Sequence, residues 1–104
     1  MADTYRVVIT PEALSDLKDI SKYIRKSSSL TTARVIDDIL KGIESLAFMP
    51  SRCRRIGKSR KRGQSVHALL VHPFIVHFRL VTDTSAVYIL SVRNGTRRQP
   101  RQFE

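Results

Sequence analysis

Residues 74–93 read FIVHFRLVTDTSAVYILSVR and show the clearest strand pattern of the chain. It contains two runs rich in β-branched and aromatic residues on either side of the turn sequence TDTS at 82–85. Such runs, separated by a few turn-forming residues, predict two antiparallel strands joined as a hairpin. The stretch therefore predicts a β-sheet in the second half of the chain.

The apolar alternation of the two runs predicts how these strands pair. Pairing Leu80 with Tyr88 and Phe78 with Leu90 collects large apolar side chains on one face, whereas a shift by one residue would separate them. The opposite face is then predicted to be polar. Its residues are His77, Arg79, Ser91 and Arg93, with His77 opposite Ser91.

Two amphipathic segments in the first half of the chain predict a helical hairpin. The first helix begins at Thr10, a hydroxyl N-cap that is followed by Pro11, and ends near residues 27–29. The second begins near Thr31 and is closed by Pro50. Each helix has one apolar stripe to bury. The stripes are Leu14, Leu17, Ile20 and Ile24 in the first helix, and Val35, Ile36, Ile39, Leu40, Ile43 and Leu46 in the second.

Two further strand-like runs, at residues 5–9 and 66–72, complete the predicted set of elements. The order β-α-α-β-β-β predicts an α+β fold with the helical hairpin packed on one face of a mostly antiparallel, twisted sheet. Residues 51–65 have no apolar periodicity and contain two glycines, so they are predicted to form a basic loop. We expect a single domain over residues 4–99 and a short C-terminal tail over 100–104.

The size and composition of the chain exclude several classes of protein. With 104 residues there is room for one hydrophobic core, and no apolar run reaches the ~18 to 20 residues that a membrane helix needs. The N-terminus lacks the order of a secretory signal, and the single cysteine, Cys53, allows neither an intrachain disulfide nor a cysteine-based zinc site. On a hairpin that turns at Pro73, His67 and His77 face opposite sides and cannot share an ion. We therefore expect a cytoplasmic protein without membrane association, metal or cofactor.

The positive charge is confined to the second half of the chain. Residues 1–50 carry seven basic and seven acidic side chains, whereas residues 51–104 carry twelve basic and two acidic ones, which accounts for the net charge of +10. Such asymmetry indicates a polyanionic partner, either nucleic acid or an acidic protein segment. The predicted loop is the densest part. Its cations are Arg52, Arg54, Arg55, Lys58, Arg60, Lys61 and Arg62.

Four segments in this order resemble the RelE/ParE superfamily of type II toxin–antitoxin toxins. They are VITPEA at 8–13, FRLV at 78–81, VYILSVR at 87–93 and GTRR at 95–98. The resemblance covers roughly residues 5–99 and lies closer to the ParE side. One departure is Asn94, which stands where the family often has a histidine before the glycine.

The resemblance implies a bacterial growth-inhibiting toxin that a cognate acidic antitoxin neutralises in a hetero-oligomer. ParE-like members poison DNA gyrase, whereas RelE-like members act at the ribosome and cut mRNA without a metal. A small basic nucleic-acid-binding protein is a further alternative, although the chain has no helix-turn-helix signature. The ParE-like activity is the preferred prediction, and enzymatic activity stays open.

Cleavage of RNA without a metal requires groups that transfer protons, and arginine cannot do so. After Arg93 the chain has no His, Tyr or Lys, the residue types that RelE-like nucleases usually place there. The weak catalytic candidates are His77, Arg79, Lys58 and Lys61, of which Arg79 matches an arginine of the RelE-like nucleases. The residues predicted to bind the target or the antitoxin are Arg79, Arg93, Arg97, Arg98, Arg55 and Arg62.

Overall fold

Two helices pack on one face of a mixed five-stranded sheet in the computed structural model, which describes residues 4–25, 29–58 and 63–95. The α+β class and the helical hairpin are as predicted. The elements in chain order are β1 (Arg6–Ile9), α1 (Pro11–Arg25), α2 (Ser29–Glu44), two 3₁₀ turns (Ser45–Ala47 and Pro50–Arg52), β2 (Arg54–Lys58), β3 (Gln64–Val71), β4 (Phe74–Val81) and β5 (Ala86–Asn94). None of the described helices is long and apolar enough to cross a membrane.

The strand order in the sheet is β1-β5-β4-β3-β2, with β1 parallel to β5 and every other pair antiparallel. Strand β2 lies within the stretch that the sequence predicts to be a loop, so that part of the prediction is wrong. This strand is short, strongly basic and interrupted by a register shift between Arg55 and Gly57. Edge strands are commonly charged and bulged, and they then lack the apolar alternation by which strands are detected.

Helix α1 begins at the predicted residue, and its buried apolar stripe differs from the predicted stripe at one position. The Thr10 hydroxyl accepts a hydrogen bond from the Ala13 amide at 3.3 Å and donates one to the carbonyl of Ile89, so the N-cap also ties the helix to β5. Ala13 and Leu17 are buried, whereas Leu14 is 47% exposed, contrary to the prediction. The small Ala13 side chain heads the buried stripe because it allows the first turn to lie close to the sheet.

The core lies between the two helices and the central strands β4 and β5. Ile39 of α2 is fully buried, and it belongs to one apolar cluster with Phe78 of β4 and Ile89 of β5. Gly42 allows α2 to approach β3, because a Cβ atom at that position would lie 2.7 Å from the Val71 Cγ2 atom. The core stripe predicted for α2 therefore faces the sheet, but the helix ends at Glu44 and not at Pro50, and Leu46 is buried from the first 3₁₀ turn.

The predicted pairing of β4 with β5 is wrong for half of its length. Phe78 pairs with Ile89 and not with Leu90, whereas His77 pairs with Ser91 as predicted. Leu90 is left between the two pairs as a β-bulge, which shifts the register by one residue. A bulge adds a residue to one strand only, so no single register inferred from alternation can describe both ends of the hairpin.

The bulge decides which β5 side chains face the helices. Val87 and Ile89 are fully buried in the core, although the sequence predicts that both face away from it. Tyr88, predicted to be a core residue, pairs with Arg79 and therefore shares its side of the sheet. Val92, beyond the bulge, is buried in the core as predicted.

Candidate functional site

The sheet face opposite the helices, called the open face below, carries the polar residues that the hairpin was predicted to display. Directly paired residues of neighbouring strands share a face, so the register identifies its rows. One row runs across four strands from Arg54 through Ala68 and His77 to Ser91. Arg54 is a member of this face that the sequence did not predict, because the strand that carries it was not recognised.

A second row of the open face combines an arginine with a tyrosine. Arg79 pairs with Val66 on one side and with Tyr88 on the other. The Arg79 guanidinium donates to the Gln64 side-chain oxygen at 3.5 Å. The phenol of Tyr88 therefore belongs to the same surface as the predicted arginine, where the sequence predicted no aromatic residue.

His77 is held in place on the open face and is biased toward its neutral form. Its Nδ1 atom lies 3.2 Å from the Ser91 hydroxyl oxygen in a hydrogen bond. Burial of the half-buried ring lowers the pKa of His77, and the positive charge of Arg93 lowers it further. Both effects favour the uncharged form of the ring.

A groove of about 480 Å³ lies between the N-terminal half of α1 and the open face. Its lining combines both signs of charge, with Glu12 and Asp16 from α1 and Arg93 from β5. The remaining lining residues are Ser15, Ile56, Val66, His77, Leu90 and Ser91. The two acidic residues were not predicted, because periodicity places α1 on the sheet but does not show which residues reach its edge.

One hydrogen bond fixes α1 beside this groove. The Asp16 carboxylate accepts the Val92 amide N–H at 2.9 Å. The last pair between β1 and β5 is Ile9 with Ile89, so Val92 lies beyond the end of β1. Asp16 therefore supplies the acceptor that a longer first strand would have supplied.

The remaining predicted site residues lie in different places. Arg93 is exposed, pairs with Ile75 and lines the groove. Arg55 pairs with His67, a core-side residue, so strand alternation places Arg55 on the helix side of the edge strand and away from Arg79. Lys58 ends β2, and nothing is described of its side chain. Lys61, Arg62, Arg97 and Arg98 lie outside the described residues.

His67 is a structural residue on the other face from His77, as predicted. It is only 5% exposed, and its ring stacks on Phe78 with 5.4 Å between centroids. One ring nitrogen lies 2.8 Å from the Ser65 hydroxyl and the other 3.0 Å from the carbonyl oxygen of Cys53. Within the described ranges, no three His, Cys, Asp or Glu side chains are grouped as metal ligands.

Solved structures of toxin–antitoxin systems share this fold. A chain of the chromosomal ParDE system from P. aeruginosa has a TM-score of 0.68 at 20% identity, with 88% of this chain and 97% of that chain covered. A chain of the archaeal RelE–RelB complex from Pyrococcus horikoshii OT3 has a TM-score of 0.67 at 14% identity, covering 91% and 99%. For the RelBE2 toxin–antitoxin complex from Mycobacterium tuberculosis the TM-score is 0.64 at 17% identity, covering 90% and 94%.

The family is identified at the level of sequence. No curated protein sequence matches the chain. The family model for the ParE toxin of type II toxin–antitoxin systems (parDE) matches residues 7–99, which is nearly the whole chain. The protein therefore belongs to the ParE toxin family, within the RelE/ParE superfamily of type II toxin–antitoxin toxins.

Proposed function

We propose that this toxin inhibits bacterial growth by binding and poisoning DNA gyrase in the cytoplasm, and that a cognate acidic antitoxin neutralises it in a hetero-oligomeric complex. The observation that carries the proposal is the match of residues 7–99 to the ParE toxin family. The fold alone does not separate the two activities of the superfamily, because ParDE and RelE–RelB structures resemble the chain equally well.

The chemistry of the open face supports binding over hydrolysis. Its described cations include Arg54, Arg79 and Arg93, and guanidinium groups bind phosphates and carboxylates without exchanging protons. Burial and Arg93 lower the pKa of His77, which disfavours the protonated form that a general acid needs, and its Nδ1 is engaged with Ser91. A cleavage reaction would need an acid and a base on opposite sides of the scissile bond, in addition to charge stabilisation.

The charge distribution supports an acidic antitoxin as the second partner. All of the net positive charge lies after residue 50. The open face offers Arg54, Arg79 and Arg93 to an extended acidic segment. Two of the structural relatives are themselves described as complexes, RelE–RelB and RelBE2.

One observation favours a second candidate function, metal-independent cleavage of mRNA at the ribosome. The bulge at Leu90 turns Tyr88 to the open face, opposite Arg79 and one row from His77. A phenol can donate or accept a proton in a reaction of this kind. The tyrosine that is missing after Arg93 thus has a possible substitute earlier on the same strand.

The two candidates are separated by parallel assays of the purified toxin. We expect the wild type to block supercoiling of relaxed plasmid by gyrase, and to leave a defined mRNA intact on translating ribosomes. Tyr88→Phe removes only the hydroxyl group and should retain full inhibition of gyrase. The opposite result would be a wild type that cleaves mRNA on ribosomes and has no effect on gyrase, with cleavage falling ~10²- to 10⁴-fold in Tyr88→Phe. That result would replace the gyrase proposal by the nuclease.

A further inference from the structure

Two adjacent large apolar side chains are displayed on the surface between the 3₁₀ turns. Phe48 is 59% exposed and Met49 is 69% exposed. Ala47, immediately before the pair, is partly buried, and Leu46 and Pro50 are buried. Leu46 belongs to the core cluster between the helices and the sheet, and an isolated bridge joins Phe48 to Thr4 just before β1. The pair, called the apolar knob below, therefore lies beside the start of β1, whereas Arg54, Arg79 and Arg93 of the open face lie on other strands.

The backbone that carries the apolar knob is held by an unusual number of hydrogen bonds. The Arg52 Nη1 atom donates to the carbonyl oxygens of Phe48 at 2.6 Å and Met49 at 3.1 Å, and its Nη2 atom donates to the Ser45 hydroxyl at 3.0 Å. The Phe48 amide also donates to the Ser45 carbonyl at 3.1 Å. An isolated β-bridge joins Thr4 to Phe48. Arg52 therefore acts as a clamp on this turn, and its charge is used internally.

Met49 occupies a backbone conformation that its side chain disfavours. Its φ and ψ angles are 46° and 54°, in the left-handed region. Glycine adopts this region at no steric cost, and asparagine tolerates it, but other side chains crowd the following carbonyl. Such strain persists only where the surrounding structure imposes it, and it concentrates at functional sites. The fold thus holds a long apolar side chain outward at a position where glycine would be favoured.

The surroundings of the apolar knob indicate the chemistry of its partner. Residues 45–58 contain no acidic residue, and besides the engaged Arg52 and the open-face Arg54 they carry the cations Arg55 and Lys58. A complementary surface has an apolar pocket with carboxylates at its rim. Protruding side chains need a concave pocket, which a folded protein provides and an extended segment does not. The extended segment that we propose for the antitoxin instead complements the groove beside the open face.

We propose that the apolar knob is the surface by which the toxin engages its target. Phe48 and Met49 enter an apolar pocket of the folded target protein, the carboxylates at its rim face Arg55, and the antitoxin binds on the open face. This inference rests on the proposed function, in which the folded target is gyrase. Its consequence is that toxicity and neutralisation are carried by separate surfaces.

Two variants and a matched control test the inference in the full chain. Met49→Gly removes the side chain and relieves the backbone, and Phe48→Ser removes the ring. Leu14→Ser removes another exposed apolar side chain, on α1, as the control. We expect both knob variants to lose growth inhibition in cells and to require at least about tenfold more protein to inhibit gyrase, as for central anchor residues. Their affinity for the cognate antitoxin should stay within about twofold of the wild type, and Met49→Gly should unfold at the same or a higher temperature.

Each outcome has a distinct meaning. Full toxicity of both folded knob variants, or an equal loss in Leu14→Ser, would overturn the inference. Weakened antitoxin binding by the knob variants would overturn it as well, since the apolar knob would then belong to the antitoxin surface. A wild type that stops growth without inhibiting gyrase would refute the gyrase proposal alone, because growth inhibition still reports on the knob. A wild type without toxicity would overturn both.

Discussion

Replacing Asp16 with alanine should destabilise the protein far more than its position on a half-exposed helix face suggests. The Asp16 carboxylate accepts the Val92 amide at 2.9 Å and joins residues that are 76 positions apart in the sequence. Without it, α1 loses its polar attachment to β5 beyond the end of β1. The amide is also left without its acceptor in a partly buried position.

The expected size follows from the nature of this bond. A partly buried amide that loses its partner costs about 1 to 3 kcal/mol, and bonds to a charged acceptor are at the stronger end. We take about 2 kcal/mol for Asp16→Ala in the free energy of unfolding. For a domain of this size that corresponds to a fall of roughly 8 to 16 °C in melting temperature. Asp16→Asn keeps an oxygen acceptor but loses the charge, so its cost should be about half as large.

Urea unfolding followed by circular dichroism measures these differences directly. Asp19→Ala is the matched control, since it removes the same charge from the exposed side of the same helix. It should change the free energy of unfolding by less than about 0.5 kcal/mol. If Asp16→Ala and Asp19→Ala lowered stability equally, the loss would reflect net charge alone, and the attachment of α1 by this bond would be refuted.

Three further predictions concern the core, the open face and pH. Ile39→Asp should abolish folding, because a buried charge without a partner costs several kcal/mol, and a cooperative unfolding transition in this variant would contradict the assigned packing. Arg79→Ala and Arg93→Ala should each weaken antitoxin binding by ~2 to 5 kcal/mol if their ion pairs are desolvated, whereas Arg60→Ala in the predicted basic segment should weaken it far less. If titration gave equal, small losses for all three variants, the positive charge would only steer the antitoxin towards the toxin over long range. Burial lowers the pKa of His77, so the folded state disfavours the protonated ring. The contribution of His77 to the free energy of unfolding is therefore present above the unfolded-state pKa of about 6.5 and is lost as the pH falls through the lowered pKa. Melting temperatures measured against pH should therefore fall less on acidification in His77→Gln, and an unchanged profile would contradict this assignment.

The parts of the fold that depend on local pattern could be predicted from the sequence. Thr10 and Pro11 mark the start of α1 because the N-cap and first-turn preferences act within a few residues. The bounds Phe74–Val81 of β4 follow from alternation between Pro73 and the turn at 82–85. Opposite faces for His67 and His77 follow from the same alternation and the hairpin turn.

The edge strand β2 could not be predicted because its stabilisation is almost entirely non-local. Its residues include Arg54, Arg55 and Gly57, which have neither apolar alternation nor high strand propensity. It forms because β3 offers an unpaired edge, with Arg54 opposite Ala68. A pattern within five residues cannot report on partners that lie seven to fourteen positions away. Missing this strand also meant missing Arg54 as a member of the open face.

The composition of the candidate site depends on one bulge whose cause is also non-local. Strand β1 pairs with β5 only as far as Ile89, and the Thr10 amide continues this contact to the Ile89 carbonyl at 3.3 Å. Immediately after that point Leu90 bulges, and Asp16 accepts the next available amide, that of Val92. The bulge turns Tyr88 to the open face and leaves Leu90 in the groove. The structure therefore links the end of β1, the position of α1 and the identity of the open-face side chains. A substitution at Asp16 that loosened α1 should also disturb the groove beside the open face, where we expect the antitoxin to bind.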